Sequence, residues 1–264
     1  MCYAGDVHYK GGMMGDYEKG VYIAIPNYRR VTVTGLSGWL FSLSAPPGES
    51  FYLDALPIQP VDCCRNELAR RFLDDSALEW MFMVDDDIVP WPTVLDMRQR
   101  GHRIISAMTY ITKRGVPMAT LATRRRKNQV CSGGIPEGNL DPVEIVAVGT
   151  GALMLHRSVL EEITPPWFRF TYTRDGRAVQ GEDFYFSKKA RRAGYKIWVD
   201  PSCPCGHFHV SDIRENAALL MKALDCKDLD EFSQFFGLLD PKEEERRQKA
   251  EIFTIRTSGK GGKG

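Results

Sequence analysis

The sequence predicts an α/β sandwich built on a largely parallel sheet. Short apolar or β-branched runs alternate along the chain with stretches whose apolar residues recur at helical spacing. One apolar run, Met81-Phe82-Met83-Val84, passes directly into Asp85, Asp86 and Asp87, as a buried strand does when it ends at a ligand-binding sheet edge. With 264 residues, 43% of them apolar and 26% charged, the chain can bury a sizeable core, and global disorder is excluded.

The elements follow in order. Val21-Tyr22-Ile23-Ala24-Ile25 reads as a buried strand stopped by Pro26. Leu36, Trp39, Leu40 and Leu43 share one helical face, ended by Pro46-Pro47-Gly48. Phe51, Leu53 and Ala55 alternate as in a second strand. Asp62 is placed to cap a helix that carries Leu68, Ala69, Phe72 and Leu73. Trp80 to Val84 and Ile104 to Met108 are further strands. Two more are expected near Glu144–Val148 and Ala152–Leu155, joined by Gly149-Thr150-Gly151. A short helix from His156 to Ile163 stops at Pro165-Pro166. Glu182 to Ala193 reads as a helix with Gly194 as its stop, followed by a strand at Lys196 to Val199. Beyond residue 212, Ala217, Leu220, Met221 and Leu224 form a helical stripe, and Asp228 and Glu231 resemble a capping box ahead of Phe232. The chain divides into a loosely ordered lead-in (1–20), a core (21–212) and a C-terminal helical extension with a Gly/Lys tail (213–264).

The total charge, +1 from 35 basic and 34 acidic residues, points neither to a globally basic nucleic-acid binder nor to an acidic solvating protein. Its layout is more informative. Phe72 to Met97 holds seven acids and no Lys or Arg, and Arg98 to Pro136 holds nine bases and no acid. A carboxylate cation site beside a basic wall suits a divalent metal and a phosphorylated ligand; alternating solvated faces give the same pattern. No run approaches the ~18 apolar residues of a membrane span, and residues 1–20 do not read as a secretory signal. Seven cysteines without a small-scaffold spacing read as reduced thiols, and the expected location is the cytoplasm.

The aspartate triplet is the main chemical signal. In an extended segment residues i and i+2 point the same way, so Asp85 and Asp87 can face one cation while Asp86 faces elsewhere. Adjacent carboxylates repel, and a divalent ion would offset that cost. An acidic surface turn is the plain alternative. Two families place Asp-x-Asp after an apolar strand: the haloacid-dehalogenase phosphatases and the metal-dependent nucleotide-sugar glycosyltransferases. The first also requires a later lysine and a second motif of paired aspartates, for which Glu182-Asp183 is the one candidate.

Over about residues 21–210 the order of motifs resembles A-type-fold glycosyltransferases, in particular the compact phage and bacterial enzymes. The segments are Ile25-Pro26-Asn27-Tyr28, Cys64-Arg65-Asn66, Met83 to Pro90 around the aspartates, Ile105 to Arg114, Val148 to Leu155 with Gly149 and Gly151, Gly181-Glu182-Asp183, and Cys205-Gly206-His207. The resemblance implies a single-domain, Rossmann-like α/β/α sandwich with a mixed, mostly parallel sheet. It implies a nucleotide-sugar donor, UDP-linked, and Mn²⁺ or Mg²⁺ held by Asp85 or Asp87 with His207 as a further ligand and His209 as its substitute. Asp86 would contact the ribose, Pro26, Asn27 and Tyr28 would shape the base pocket, and Arg65 would contact the nucleotide. Gly149 and Gly151 would let the backbone approach the sugar. By the same resemblance Glu182 and Asp183 would be the catalytic carboxylates, with Asp183 as the base. An in-line base gives inversion; without one, a retaining front-face reaction remains open. A non-catalytic nucleotide-sugar-binding module of the same fold is the other alternative.

Two further segments stand apart. Cys203, Cys205, His207 and His209 are zinc ligands by type, but their spacing along a strand spreads them over ~20 Å, so a zinc site needs a sharp turn near Gly206. Arg124-Arg125-Arg126-Lys127 reads as a mobile loop near the site, able to hold a diphosphate or an anionic acceptor. Were the acceptor DNA or RNA, this segment would contact its backbone.

Overall fold

The computed structural model describes residues 17–27, 33–113, 116–126, 129–131, 135 and 138–208. The expected C-terminal extension, Tyr28, His209 and Lys127 lie outside the described residues, as does the lead-in up to residue 16. No described helix is long and apolar enough to cross a membrane.

A seven-stranded sheet forms the centre. Its strands are β1 (Glu18–Pro26), β2 (Ser50–Leu56), β3 (Leu78–Val84), β4 (Ile104–Met108), β5 (Val143–Ile145), β6 (Ala152–His156) and β7 (Ile197–Pro204). Their spatial order is β5-β7-β4-β6-β3-β1-β2. β1 pairs in parallel with β2 and β3, and β7 in parallel with β4. β6 runs antiparallel between β3 and β4, and β5 antiparallel on β7. Five of the seven strands therefore run one way, the mixed and mostly parallel α/β sheet the alternation implies.

Side-chain alternation along each strand divides the core into two layers. Tyr22 and Ala24 of β1, Met81 and Met83 of β3, and Leu153 and Leu155 of β6 share one apolar cluster. Helices α2 (Val61–Asp75), α3 (Arg157–Glu162) and α4 (Glu182–Arg192) cover it through Leu68, Phe72, Val159, Leu160, Phe186 and Ala190. Val21, Ile23 and Ile25, Phe82 and Val84, and Met154 face the other cluster, under α1 (Thr34–Ser42) and a 3-10 helix at Val94–Arg100. Leu68 and Phe72 lie one turn apart and are fully buried; such burial stabilises by ~1.5–3 kcal/mol per side chain. β3 is buried on both faces from Trp80 to Val84, which is why it reads as a continuous apolar run.

Several boundaries differ from the sequence expectation. β1 begins at Glu18, three residues before the β-branched run. α2 begins at Val61 after Pro60, with Asp62 inside the first turn and not at the cap. The expected strand at Glu144–Val148 does not pair with Ala152–Leu155 across the glycines. It splits: Val143–Ile145 joins β7, and Ala147–Val148 pairs with Leu121–Ala122. The Gly149–Gly151 link is thus a connection between sheets, because the central position beside β6 is taken by β3 and β4. Arg124–Arg126 forms an antiparallel ladder with Gln129–Cys131 where a loop was expected.

Candidate functional site

β1 and β3 are parallel neighbours, so their carboxyl ends lie side by side. β6 is antiparallel to β3 and starts at that same edge, with Ala152 opposite Val84. α2 begins five residues after β2 ends, which brings its first two turns to this edge. A cavity of about 500 Å³ opens there. Asp85, Asp86 and Asp87 line it with Arg65, Glu182 and His207, and Pro26, Gln59, Pro60, Val61 and Phe170 form the rest of its wall.

The aspartates do not continue the strand. The Asp85 N–H donates to the Gly151 carbonyl at 3.1 Å, and the Asp85 carbonyl accepts from Ile88 N–H at 3.1 Å. The chain therefore turns over Asp85–Ile88, and the alternation of an extended segment does not apply. This corrects the expectation that Asp86 faces away: it lines the cavity with its neighbours and is 2% exposed. What separates the three is their partners. Asp85 meets Arg65, with Nη2 2.8 Å from Oδ1 and donating to Oδ2 at 3.1 Å. Asp87 meets His207, with Oδ2 3.4 Å from Nε2. The Asp86 carbonyl accepts from Val33 N–H at 3.0 Å.

Arg65 is a buried cation between two carboxylates. Its Nε donates to Glu182 Oε1 at 3.4 Å, and the side chain is 4% exposed. Burial opposes its charge, but Asp85 and Glu182 outweigh that and push its pKa above the ordinary arginine value. Its Nη1 is buried and has no hydrogen-bond partner. The Oδ1 of Asn27, next to the cavity-lining Pro26, is likewise buried without a partner. Buried polar atoms of this kind are rare in folded proteins and call for an explanation.

His207 is oriented from both ends. Nδ1 donates to the Tyr110 carbonyl at 2.6 Å, which leaves Nε2 directed at Asp87. The hydrogen bond to Asp87 holds the His207 pKa above the ordinary imidazole value, against the effect of burial. A short antiparallel pairing of Gly206–His207 with Ile88–Val89 brings the histidine beside the aspartate turn.

Glu182 and Asp183 occupy the first turn of α4. Glu182 faces the cavity and Arg65, whereas Asp183 is not among the lining residues. Asp183 Oδ1 accepts from Phe184 N–H at 2.7 Å. Burial, then the neighbouring Glu182, raises its pKa to about 6. Gly149 and Gly151 also stand outside the cavity lining. A Cβ on Gly149 would come within 3.0 Å of the Thr120 side chain, and one on Gly151 would lie 3.4 Å from Asp85 Oδ2.

Cys203 and Cys205 are 4% and 2% exposed within the apolar cluster. The Cys205 sulfur accepts from Trp91 N–H at 3.3 Å, and burial pushes its thiol up to about 12. A neutral thiol in that setting is a poor zinc ligand. Among the described residues no three His, Cys, Asp or Glu side chains stand close enough together to hold a metal.

Gln59, Pro60, Val61 and Phe170 line the cavity without any sequence signal that marked them. They come from the β2–α2 link and from the segment before α4, and only the packing of α2 joins these.

No family model matches the chain, and no curated protein matches it. Among solved structures, A197 from STIV is similar with a TM-score of 0.50 and 17% identity, over 73% of this chain and 86% of that one. At this identity the likeness is one of fold. GalNAc-T7, solved with UDP, GalNAc and Mn²⁺, has a TM-score of 0.47 and 10% identity, over 74% of this chain and 44% of that one.

Proposed function

We propose that the chain is a glycosyltransferase of the A-type fold that moves a sugar from a UDP-linked donor to an acceptor hydroxyl with the help of Mn²⁺ or Mg²⁺. The observation that carries this reading is the cavity at the ends of β1 and β3, where three aspartates, a buried arginine and a histidine meet an apolar wall. Such a site at the carboxyl edge of an α/β sheet suits a ligand with a flat apolar ring and an anionic group that reaches the carboxylates through a divalent cation.

The residues fit a divalent cation by chemistry. Asp87 and His207 present a carboxylate oxygen and an imidazole nitrogen 3.4 Å apart. The carboxylate suits either ion, and the imidazole favours the softer Mn²⁺. Two protein ligands leave the other positions to water and donor phosphates, as such ions accept in phosphate sites. When bound, the cation would supply Lewis-acid stabilisation of the departing diphosphate.

The chain's own residues do the rest. Arg65 neutralises Asp85 and Glu182 and turns its unpartnered Nη1 N–H to a donor oxygen. Asn27 offers Oδ1 to an N–H of the base, and its neighbour Pro26 lines the cavity together with Pro60. Glu182 keeps Arg65 in place. Asp183, with a pKa of about 6, is ionised near neutrality and is a base of suitable strength for the acceptor hydroxyl proton. The acceptor is a glycan, a protein or a modified nucleic acid.

A thermal-shift panel of nucleotide-sugars with and without Mn²⁺ tests the reading. A UDP-sugar should raise the melting temperature only when Mn²⁺ is present. No shift with any nucleotide, or release of phosphate from simple phosphoesters with a phospho-aspartate trapped at Asp85, would sink it.

A further inference from the structure

Two consecutive residues of α2 anchor the two flanks of one hairpin. Thr171–Tyr172 and Ala178–Gln180 pair as an antiparallel hairpin that leads into α4. Arg65 holds its rear flank through Glu182. Asn66 holds its front flank with its whole carboxamide. Nδ2 donates to the Phe168 carbonyl at 2.7 Å and to the Asp62 carbonyl at 2.7 Å. Oδ1 accepts from Trp167 N–H at 2.8 Å and from Phe168 N–H at 3.2 Å. One turn earlier, Asp62 Oδ2 accepts from Phe170 N–H at 3.3 Å.

These bonds act on a buried segment. Trp167 and Phe168 are 2% and 0% exposed, and Phe168 stacks on Phe186 of α4 with ring centroids 5.0 Å apart. Phe170, two residues on, leaves this packing and lines the cavity. Among the described residues its one ring contact is Tyr172, at 6.4 Å. The Asn66 and Asp62 side chains tie the backbone that carries Phe170 to α2. The cavity lining is of two kinds: Phe170, Pro60, Val61 and Pro26 supply apolar wall, while the aspartates, Glu182, Arg65 and His207 supply charge.

We propose that Asn66 and Asp62 are positioning residues that hold Phe170 as the aromatic wall of the cavity, and that this wall takes the flat face of the donor's nucleobase. The second half rests on the function proposed above. A nucleoside diphosphate offers a planar ring to Phe170 and anionic oxygens whose charge Arg65 and a divalent cation held at the carboxylates would offset.

Two measurements on the full chain test it separately. The first is amide hydrogen exchange without ligand, in the wild type and in Asn66→Ala and Asp62→Ala. Asn66→Ala should speed exchange at Trp167 and Phe168, and Asp62→Ala at Phe170, with core strands unchanged. Asn66→Asp, which keeps the acceptor and loses both donations, serves if the alanine variant does not fold. Unaltered exchange overturns the clamp. The second is calorimetric titration with UDP in the presence of Mn²⁺. Phe170→Ala should weaken binding roughly tenfold, the scale of one aromatic stack on a base. Asn66→Ala should weaken it similarly, and the double variant no more than Phe170→Ala alone, because both remove the same contact. Additive losses would give Asn66 a general structural role and overturn the positioning claim. Failure of the wild type to bind UDP would overturn the nucleobase assignment together with the proposed function, while the exchange data still decide the clamp.

Discussion

Arg65 and Asp85, 20 positions apart in the chain, meet in an ion pair of 2.8 Å whose arginine side chain is 4% exposed. The same guanidinium reaches Glu182, 117 positions away. One cation thus ties α2, the end of β3 and the start of α4 around the cavity. A buried pair of this kind gains little over an apolar packing, but losing one partner strands the others.

Arg65→Met should destabilise the protein by about 3–5 kcal/mol, since Asp85 and Glu182 would then face each other without a countercharge. Adding Asp85→Asn to that variant should recover part of the loss. Urea unfolding of the single and double variants checks both statements.

Asp87→Ala and His207→Ala should each abolish the Mn²⁺-dependent part of any stabilisation by UDP, while leaving the metal-free melting temperature within a few degrees. Asp85→Asn should weaken UDP binding without removing its Mn²⁺ dependence, because Arg65 already holds Asp85. Equal Mn²⁺ dependence in wild type and Asp87→Ala would refute the ligand assignment.

Asp183 should make stability fall with rising pH. Its folded pKa is about 6 against 3.8 for the free group. The folded state therefore keeps a proton that the unfolded chain releases. The contribution is full below pH ~4 and is lost as pH rises through about 6. The difference is roughly 3 kcal/mol, an order-of-magnitude figure. Asp183→Asn should flatten this part of the pH–stability curve and, on the proposed function, abolish transfer while retaining donor binding.

Arg157→Ala should cost about 2–4 kcal/mol in chemical denaturation. Its buried guanidinium donates to the Phe72, Leu73 and Leu78 carbonyls at 3.1, 2.6 and 3.3 Å and lies over the Phe72 ring. Truncation removes that packing and leaves the end of α2 without its donors.

Gly20→Ala should be among the most disruptive single changes in β1. Gly20 has φ +149°, and a Cβ there would overlap the Ser50 carbonyl oxygen. The β1–β2 pairing begins at this residue pair, so the strands would have to part. A large drop in melting temperature is expected.

Much of this architecture was legible along the chain. The run ending in Val84 reads as a strand because both faces of β3 are covered, and the aspartates after it mark the sheet edge. The Arg65-Asn66 pair on α2, the acidic start of α4 and His207 were all singled out, and Arg65, Glu182 and His207 do meet the aspartates in one cavity. The orientation of Asp86 was misread because a hydrogen-bonded turn replaces the extended chain there. Glu144–Val148 was read as one strand, but it splits between two sheets, because a short apolar run does not reveal a change of pairing partner.

The sequence by itself determined the layers. Side-chain periodicity sets which residues face the core, and this is a property of neighbours a few positions apart. It also determined that a cluster of carboxylates stands at the end of a buried strand. Only the tertiary structure decided the partners: Arg65 for Asp85, His207 for Asp87, Asn66 for the segment that carries Phe170. Those contacts depend on β6 running antiparallel beside β3 and on where α2 and α4 dock, which non-local packing settles and no local pattern encodes.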